Sequence, residues 1–286
     1  MNMKQLLLTT VLFCSVFSLT AQINIQVYDI NDVLKAKPID KLLFTVQYQT
    51  TFVNDTLSPD KQTEETMMLK IGSKSSVYYS YARFHMDSLI EADKAAGASQ
   101  DIISEHLKQG NGYVNYQIYK NYPIGKITML DQLAASRFRC EETAERPVWT
   151  LYPDTTTILS YICRKATCYF RGRKYEAWYT QEIPRSEGPW KLQGLPGLIL
   201  KASDKQGHYT FTCSGIEKSR KEEMIQFSGS EYEPILPNDL QKAHKRYASD
   251  PIGYVTETSP GINVTVRGED GQPFRPKNMP YNPIEK

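Results

Sequence analysis

Apolar and polar side chains alternate along most of the chain, in short segments that end at clusters of Asn, Asp, Gly and Pro. A period of two among β-branched and aromatic residues is typical of strands. The segments that fit this pattern are 23–28, 42–53, 67–71, 75–83, 113–119, 126–130, 134–140, 149–152, 157–170, 174–180, 198–203 and 208–214. They predict a mainly β protein, built on a large curved antiparallel sheet that forms a sandwich or an open half-barrel.

Two regions depart from this strand pattern. Residues 88–96 and 99–108 are rich in helix formers and are separated by Gly97, which predicts a short helical insertion at about 88–108. A further helix is predicted at 240–247. Region 268–286 contains four prolines and is expected to be an extended arm over the surface. The chain between 22 and 267 is therefore predicted to be a single β-rich domain.

The beginning of the chain has the features of a secretory signal peptide. Lys4 precedes an apolar run at 6–19, and the small residues Thr20 and Ala21 follow it. Such a run is too short to span a membrane as a helix, so we expect cleavage after Ala21. No later stretch is long and apolar enough to cross a bilayer. The sequence thus predicts an exported protein, either periplasmic or associated with the outer envelope.

Four cysteines remain after this cleavage, namely Cys140, Cys163, Cys168 and Cys213. An even number in an exported protein favours disulfides over free thiols, which are the alternative. If 157–170 is one strand, Cys163 and Cys168 point to opposite faces about 16 Å apart, too far for a bond. Two patterns stay open: Cys140 with Cys163 plus Cys168 with Cys213, or Cys140 with Cys168 plus Cys163 with Cys213.

Residues 190–200 combine large apolar side chains with three residues of special backbone geometry. Leu195-Pro196-Gly197-Leu198 fits a type II turn, in which proline sets φ at the second position and glycine supplies a positive φ at the third. We therefore expect a turn that enters a buried strand. The residues assigned to this structural motif are Trp190, Gly194, Leu195, Pro196, Gly197, Leu198 and Ile199.

Region 158–216, and 194–199 in particular, resembles the GLPGLI family of exported Bacteroidota proteins. The similarity lies in Tyr161, Cys163, 165–167, 171–173, Tyr175, 177–179, 183–184, 188–189 and 194–200. Residues 68–72, 78–80 and 282–285 are similar to the family's early strand pair and its ending. The resemblance implies an exported, β-rich protein. It implies no catalytic residues, because the family has no established activity.

The residues themselves show no recognisable catalytic or metal-binding motif. The histidines His85, His106, His208 and His244 are too scattered for a metal-ligand spacing. A nucleophile elbow, a phosphate-binding glycine loop and a Cys-x-x-Cys pair are all absent from the sequence. We therefore predict no catalytic residue, no metal and no cofactor. A net charge of +2 gives no reason to expect nucleic-acid binding.

A basic and aromatic cluster is the weak candidate for a binding site. Its residues are Arg164, Arg171, Arg173, Tyr175 and Trp178. Such a cluster fits cation–π packing beneath a solvated face, or a contact surface for an envelope protein, a peptide or a glycan. The predicted function is accordingly a non-enzymatic binding or scaffold protein. The alternatives are an envelope hydrolase without a known motif and a carrier of an apolar ligand. Convergent titratable groups in a deep pocket would favour the hydrolase.

Overall fold

The structure is a computed structural model that describes residues 36–99, 102, 114–220, 222–258, 266–267, 273–274 and 278–286. The predicted signal peptide (1–21), the predicted strand at 23–28 and most of the predicted helix at 99–108 lie outside these residues. None of the described helices is long and apolar enough to cross a membrane.

Strands are the dominant secondary structure of the described chain, which confirms the predicted mainly β class. The strands are β1 (Lys37–Val53), β2 (Gln62–Gly72), β3 (Ser76–Ser80), β4 (Gln117–Lys120), β5 (Lys126–Leu133), β6 (Ser136–Thr143), β7 (Thr150–Ile158), β8 (Tyr161–Phe170), β9 (Arg173–Thr180), β10 (Leu198–Asp204), β11 (Tyr209–Lys218), β12 (Met224–Phe227), β13 (Glu233–Ile235), β14 (Val266–Arg267) and β15 (Pro273–Phe274). The helices are α1 (Tyr81–Ala95), α2 (Pro237–Ser249) and α3 (Pro251–Thr258).

One open sheet of 13 strands forms the body of the protein. Its order is β13-β6-β5-β4-β3-β2-β1-β11-β10-β9-β8-β7, and β12 pairs with the start of β1. The sheet is mixed rather than purely antiparallel, because β13 runs parallel to β6. Strands β14 and β15 form a separate pair.

The connection between β6 and β7 shows that this sheet is strongly curved. These strands are ten positions apart in the sheet, about 48 Å if the sheet were flat. Only residues 144–149 join them, a stretch that spans at most about 25 Å when fully extended. The two ends of the sheet must therefore approach each other, as in the predicted open half-barrel.

Several element boundaries differ from the sequence prediction, and two of them change how the chain is divided into elements. The predicted strand 157–170 is a hairpin, because Leu159 and Ser160 have φ of 48° and 68° and form a two-residue turn. No glycine or asparagine marks this turn in the sequence. The predicted strand 75–83 ends at Ser80, where α1 begins. In both cases residues typical of strands lie on both sides of the observed boundary, so the sequence contains no signal for it.

The concave side of the sheet, called the inner face below, holds the main hydrophobic core. Strands from both halves of the sheet contribute to it, and residues of the segment between β9 and β10 fill it, namely Ile183, Trp190, Leu192 and Leu195. The convex side, called the outer face, is covered over β2–β5 by a second core that includes Ile225, Phe227 and Tyr232. Over β7–β9 the outer face has exposed aromatic residues.

Candidate functional site

Arg173, one of the predicted binding residues, is buried beneath residues 278–286, which we call the strap. Its Nη1 donates to Asp204 Oδ2 at 2.7 Å, and only 2% of the residue is exposed. Its Nη2 donates to Asn282 Oδ1 at 2.8 Å and to the Pro283 carbonyl at 2.6 Å. Its Nε donates to the Ile284 carbonyl at 3.0 Å. The guanidinium thus fastens the strap to the sheet and is unavailable to a partner.

Arg171, another predicted binding residue, belongs to a charge cluster at the same place. Its Nη1 lies 2.8 Å from Glu142 Oε2 on β6 and 3.1 Å from Glu285 Oε2 in the strap. Lys191 pairs with Glu142 at 2.7 Å and also with Glu285. Burial raises the pKa of Glu142, but Lys191 and Arg171 more than offset this and hold it below its ordinary value. The cluster therefore joins β6 to the β8–β9 turn across the gap in the sheet.

The stretches that resemble the GLPGLI family meet at this cluster. Residues 171–173, Lys191 and 282–285 are far apart in sequence but in contact in the fold. Gly172 has φ of 79°, and a Cβ there would lie 2.6 Å from Cβ of Lys286. These contacts are a structural role, and that role explains why these residue types occur at these positions.

The other three predicted binding residues do not lie with Arg171 and Arg173. Tyr175 is buried on the inner face, with its ring centroid 6.1 Å from that of Trp190. Trp178 lies on the outer face, where Lys165 Nζ is 5.9 Å from its ring centroid. Arg164 is exposed. The five candidates therefore do not form one surface, because strand alternation sends their side chains to opposite faces.

The turn at Gly197 differs from the predicted type II turn. Gly197 N donates to the Leu195 carbonyl at 2.8 Å, which closes a three-residue turn around Pro196, and Leu198 N donates instead to Ile183 at 3.1 Å. Gly197 has the predicted positive φ, at 155°. A Cβ at this position would lie 2.0 Å from the carbonyl oxygen of Thr180. Only glycine allows this close approach of two backbones.

The four predicted disulfide residues are free, buried thiols in this structure. Cys163 and Cys168 lie five residues apart on β8, so the rise along the strand keeps them apart, but both are buried in the inner-face core and do not point to opposite faces as the sequence predicted. Burial raises the pKa of Cys140, Cys163 and Cys213 to about 11 and that of Cys168 to about 12. Such thiols are poor nucleophiles and unreactive toward oxidants.

A row of polar side chains crosses the inner face near one end of the strands. Thr50 on β1 is opposite Glu65 on β2, and continuing the β3–β4–β5 registers by one residue aligns Ser80, Tyr116 and Asp131. The neighbouring inner-face positions are apolar, with Met67, Ile118 and Met129 among them. We call the set Thr50, Glu65, Ser80, Tyr116 and Asp131 the polar row.

Two carboxylates of the polar row are buried and hydrogen-bonded. Glu65 accepts from the hydroxyl of Ser80 and from Val114 N, the latter at 3.2 Å. Asp131 Oδ2 lies 2.6 Å from Nε2 of His244 on α2. The Asp131 side chain is 4% exposed, whereas that of His244 is 32% exposed and in contact with solvent. Burial lowers the pKa of His244, and Asp131 raises it by more, so the net shift is upward.

Tyr116 lies half-buried in the middle of the polar row. Burial raises the pKa of its phenol well above the ordinary value, and the nearby Tyr78, Tyr209, Asp131 and Glu65 raise it further. Its hydroxyl makes no hydrogen bond within the described part of the chain. Sequence reasoning missed this row because its members come from four strands and the residue before β4, and have no local spacing. Among the described residues, no cluster of His, Cys, Asp and Glu could hold a metal ion.

Exposed aromatic residues on the outer face of β7–β9 form a second candidate surface. Tyr169 is 67% exposed and Tyr152 is 40% exposed. Trp178 donates from its indole nitrogen to Glu176 at 3.2 Å. Lys165 lies 2.7 Å from Glu176. We call these five residues the outer aromatic surface, which combines rings with charged groups on a face that no described element covers.

This chain is similar to one family of unknown function and to solved structures of PNGF-II. A family model described as "Protein of unknown function (Porph_ging)" matches residues 171–201. No curated protein matches the chain. Two solved structures of PNGF-II, in space groups P21 and C2, are similar at 12% identity, with TM-scores of 0.49 and 0.47. Each match covers 80% of this chain and 39% of the PNGF-II chain. A likeness at this level carries no argument about activity.

Proposed function

We propose that the protein is an exported, non-enzymatic binding or scaffold protein of the periplasm or outer envelope and a member of the GLPGLI family. The supporting observation is that the residues that resemble the family have structural roles. Arg173 holds the strap, Arg171 and Lys191 join β6 to the β8–β9 turn, and Trp190 fills the core. The family-like segment thus builds a rigid frame, which leaves contacts to exposed surfaces.

The outer aromatic surface is the part of that frame best suited to a partner. Aromatic side chains supply large contact areas with little loss of conformational entropy, and they are enriched at the centres of protein interfaces. Lys165 and Glu176 add charges of both signs beside Trp178. We propose that an envelope protein, peptide or glycan binds here.

Affinity capture from native envelope, followed by mass spectrometry and glycan analysis, tests this proposal. We expect the mature protein to capture a partner that the double variant Tyr169→Ser, Trp178→Ser loses. The control variant is Leu57→Ser, which changes a 91% exposed apolar residue elsewhere and should retain the partner. Retention by the double variant would contradict the assignment of the surface. Release of fragments from envelope polysaccharide by the purified protein would instead support the hydrolase alternative.

The compartment is tested separately on protein from the native cell. We expect a mature N-terminus at Gln22 and fractionation with the periplasm or envelope, because residues 1–21 have the composition of a cleaved signal. An uncleaved product in the cytoplasm would overturn the proposal of export.

A further inference from the structure

We propose that the outer face binds an extended, uncharged polysaccharide whose chain lies across the strands. This inference rests on the proposed function, because it names the partner of the outer aromatic surface. It also extends the contact area from that surface over the neighbouring strands β10, β11, β1 and β2.

Two rows of mainly polar side chains cross the outer face, and the outer aromatic surface lies at one end of them. The strand registers align the members of each row. The first row, in the order β7 to β2, is Thr150, Thr167, Glu176, Ser203, Thr210, Thr51 and Glu64. The second row, in the order β8 to β2, is Lys165, Trp178, Lys201, Thr212, Gln49 and Thr66. We call these residues the outer rows.

The outer rows are accessible to a ligand, since none of their residues is buried. Some neighbours within a row contact each other. The hydroxyls of Ser203 and Thr210 are 3.1 Å apart, and Thr66 donates to Gln49 at 3.1 Å. A hydroxyl has one donor and two acceptor positions, so each of these groups can still bond to a ligand.

The charges of the outer rows indicate an uncharged ligand. The two lysines, Lys165 and Lys201, are balanced by the two glutamates, Glu64 and Glu176. Lys165 lies 2.7 Å from Glu176, and its hydrogen bond lowers the pKa of that carboxyl, with a further contribution from Lys201. A polyanion or a polycation would therefore meet as many like charges as opposite ones. Most other positions have hydroxyl or amide groups, which donate and accept hydrogen bonds as sugar hydroxyls do.

The geometry of the outer rows favours a chain of sugar units over a folded protein. Adjacent strands are about 4.8 Å apart, so the side chains of a row repeat at an interval close to that of the units in an extended polysaccharide. Trp178 and Tyr169 offer rings against which the apolar face of a sugar can pack. A protein interface needs an apolar centre, whereas Trp178 is the one large apolar side chain of the outer rows.

The convex shape of the outer face adds an expectation about length. A convex face contacts one side of the chain, so each sugar unit contributes little by itself. We therefore expect affinity to increase with the number of units, up to the number of strands that the rows cross.

The test is affinity electrophoresis of the mature protein in gels that contain hydroxyethylcellulose, glucomannan, laminarin or arabinoxylan, with polygalacturonate as the charged comparison. We expect at least one of the four uncharged polysaccharides to retard the protein and polygalacturonate not to do so. Calorimetry with a hexasaccharide and a disaccharide prepared from the polysaccharide that retards the protein should give tighter binding for the hexasaccharide.

The double variant Thr51→Val, Thr210→Val, which we call the row variant, tests the outer rows away from the aromatic residues. It removes two neighbouring hydroxyls, so we expect binding about tenfold weaker than that of the parent. Valine keeps the branched shape that suits a strand, and urea unfolding should therefore match that of the parent. The control is Thr256→Val, which changes an exposed threonine of α3 and should bind as the parent does.

Several outcomes would overturn this inference. They are the absence of retardation by all four uncharged polysaccharides, equal retardation of the parent and the row variant, and stronger retardation by polygalacturonate.

Envelope capture separates failure of this inference from failure of the proposed function. If capture requires Tyr169 and Trp178 but is unchanged in the row variant, the partner is a protein or peptide confined to the outer aromatic surface. The proposed function then stands, and the polysaccharide is wrong. Capture that persists in Tyr169→Ser, Trp178→Ser would contradict the proposed function itself.

Discussion

Gly197 shows why the family-like segment needs a residue without a side chain. Its backbone has φ of 155°, and the space for a Cβ is occupied by the carbonyl of Thr180 at 2.0 Å. Two effects therefore add at one position, an unfavourable dihedral and a collision with backbone that cannot rotate away. Sequence reasoning anticipated the positive φ but not the collision, because Thr180 is distant in sequence.

We expect Gly197→Ala to lower the free energy of unfolding by about 3 kcal/mol, since strain and a backbone clash both contribute. Gly207→Ala is the matched control. Gly207 also has a positive φ, of 69°, but nothing lies within 4 Å of its added Cβ. It should lose only about 1 kcal/mol, the dihedral part of the cost. Urea unfolding measures both, and equal losses would show that the contact with Thr180 has no effect.

The four cysteines lead to a prediction about thiol reactivity. They are buried and free, and burial raises the pKa of each thiol to about 11 or 12. We expect iodoacetamide to label none of them in the native protein and all four after unfolding without reductant, because the thiolate is the reactive form. Mass spectrometry counts the labels. Disulfide-linked peptides in the unlabelled protein would instead support the pairings considered from the sequence.

At the scale of elements, the strap depends on Arg173. This side chain is paired with the buried Asp204 and donates to three groups of the strap. We expect Arg173→Leu to lower the free energy of unfolding by about 3 to 5 kcal/mol, because it leaves the Asp204 carboxylate buried without its cation. Arg173→Lys should restore little of this, since an ammonium cannot reproduce the forked geometry.

The control for this prediction is Arg164→Leu. Arg164 is exposed, so its loss should change the free energy of unfolding by no more than about 0.5 kcal/mol. Denaturant unfolding compares the three variants. If Arg164→Leu and Arg173→Leu were equally stable, the strap would not depend on this ion pair.

Helix α2 contacts the sheet through the pair of His244 and Asp131. This pair makes the folding stability depend on pH. The folded-state pKa of His244 is raised, so its stabilising contribution is complete below the unfolded pKa and is lost as the pH rises through the folded value. We therefore expect His244→Gln to destabilise the protein more at about pH 6 than at about pH 9. Urea unfolding at both values measures this. In an Asp131→Asn background the difference should disappear, and a difference that persists would contradict the pairing.

The presence of most strands was predictable from the sequence, whereas the strand boundaries and the polar row were not. Alternation identified β1, β9 and the β10–β11 hairpin because each has one buried face. The hairpin turn at Leu159 was missed because neither turn residue is a usual one for positive φ. The polar row was missed for a different reason, since Glu65 and Asp131 come together only through the pairing of separate strands.

At the scale of the whole molecule, the sheet is curved but not closed. The charge cluster around Arg171 joins β6 to the β8–β9 turn, while β7 lies at one end of the strand order and, among the described strands, pairs only with β8. The residues of β7 from Thr150 to Thr157 are all exposed. Strand β1, in contrast, pairs with β2 from Leu42 to Val53 and with β11 or β12 on its other side.

This difference predicts a gradient of local stability across the sheet. An edge strand that pairs on one side and buries little apolar surface opens at a lower free energy than a central strand does. We therefore expect amide hydrogens of β7 to exchange much faster than those of β1, with β9 and β10 between them. Hydrogen exchange followed by mass spectrometry measures this order. Equal protection of β7 and β1 would mean that the edge strand is covered in solution. Diluting the protein would then show whether a second copy covers it. Protection that comes from self-association decreases when the protein is diluted.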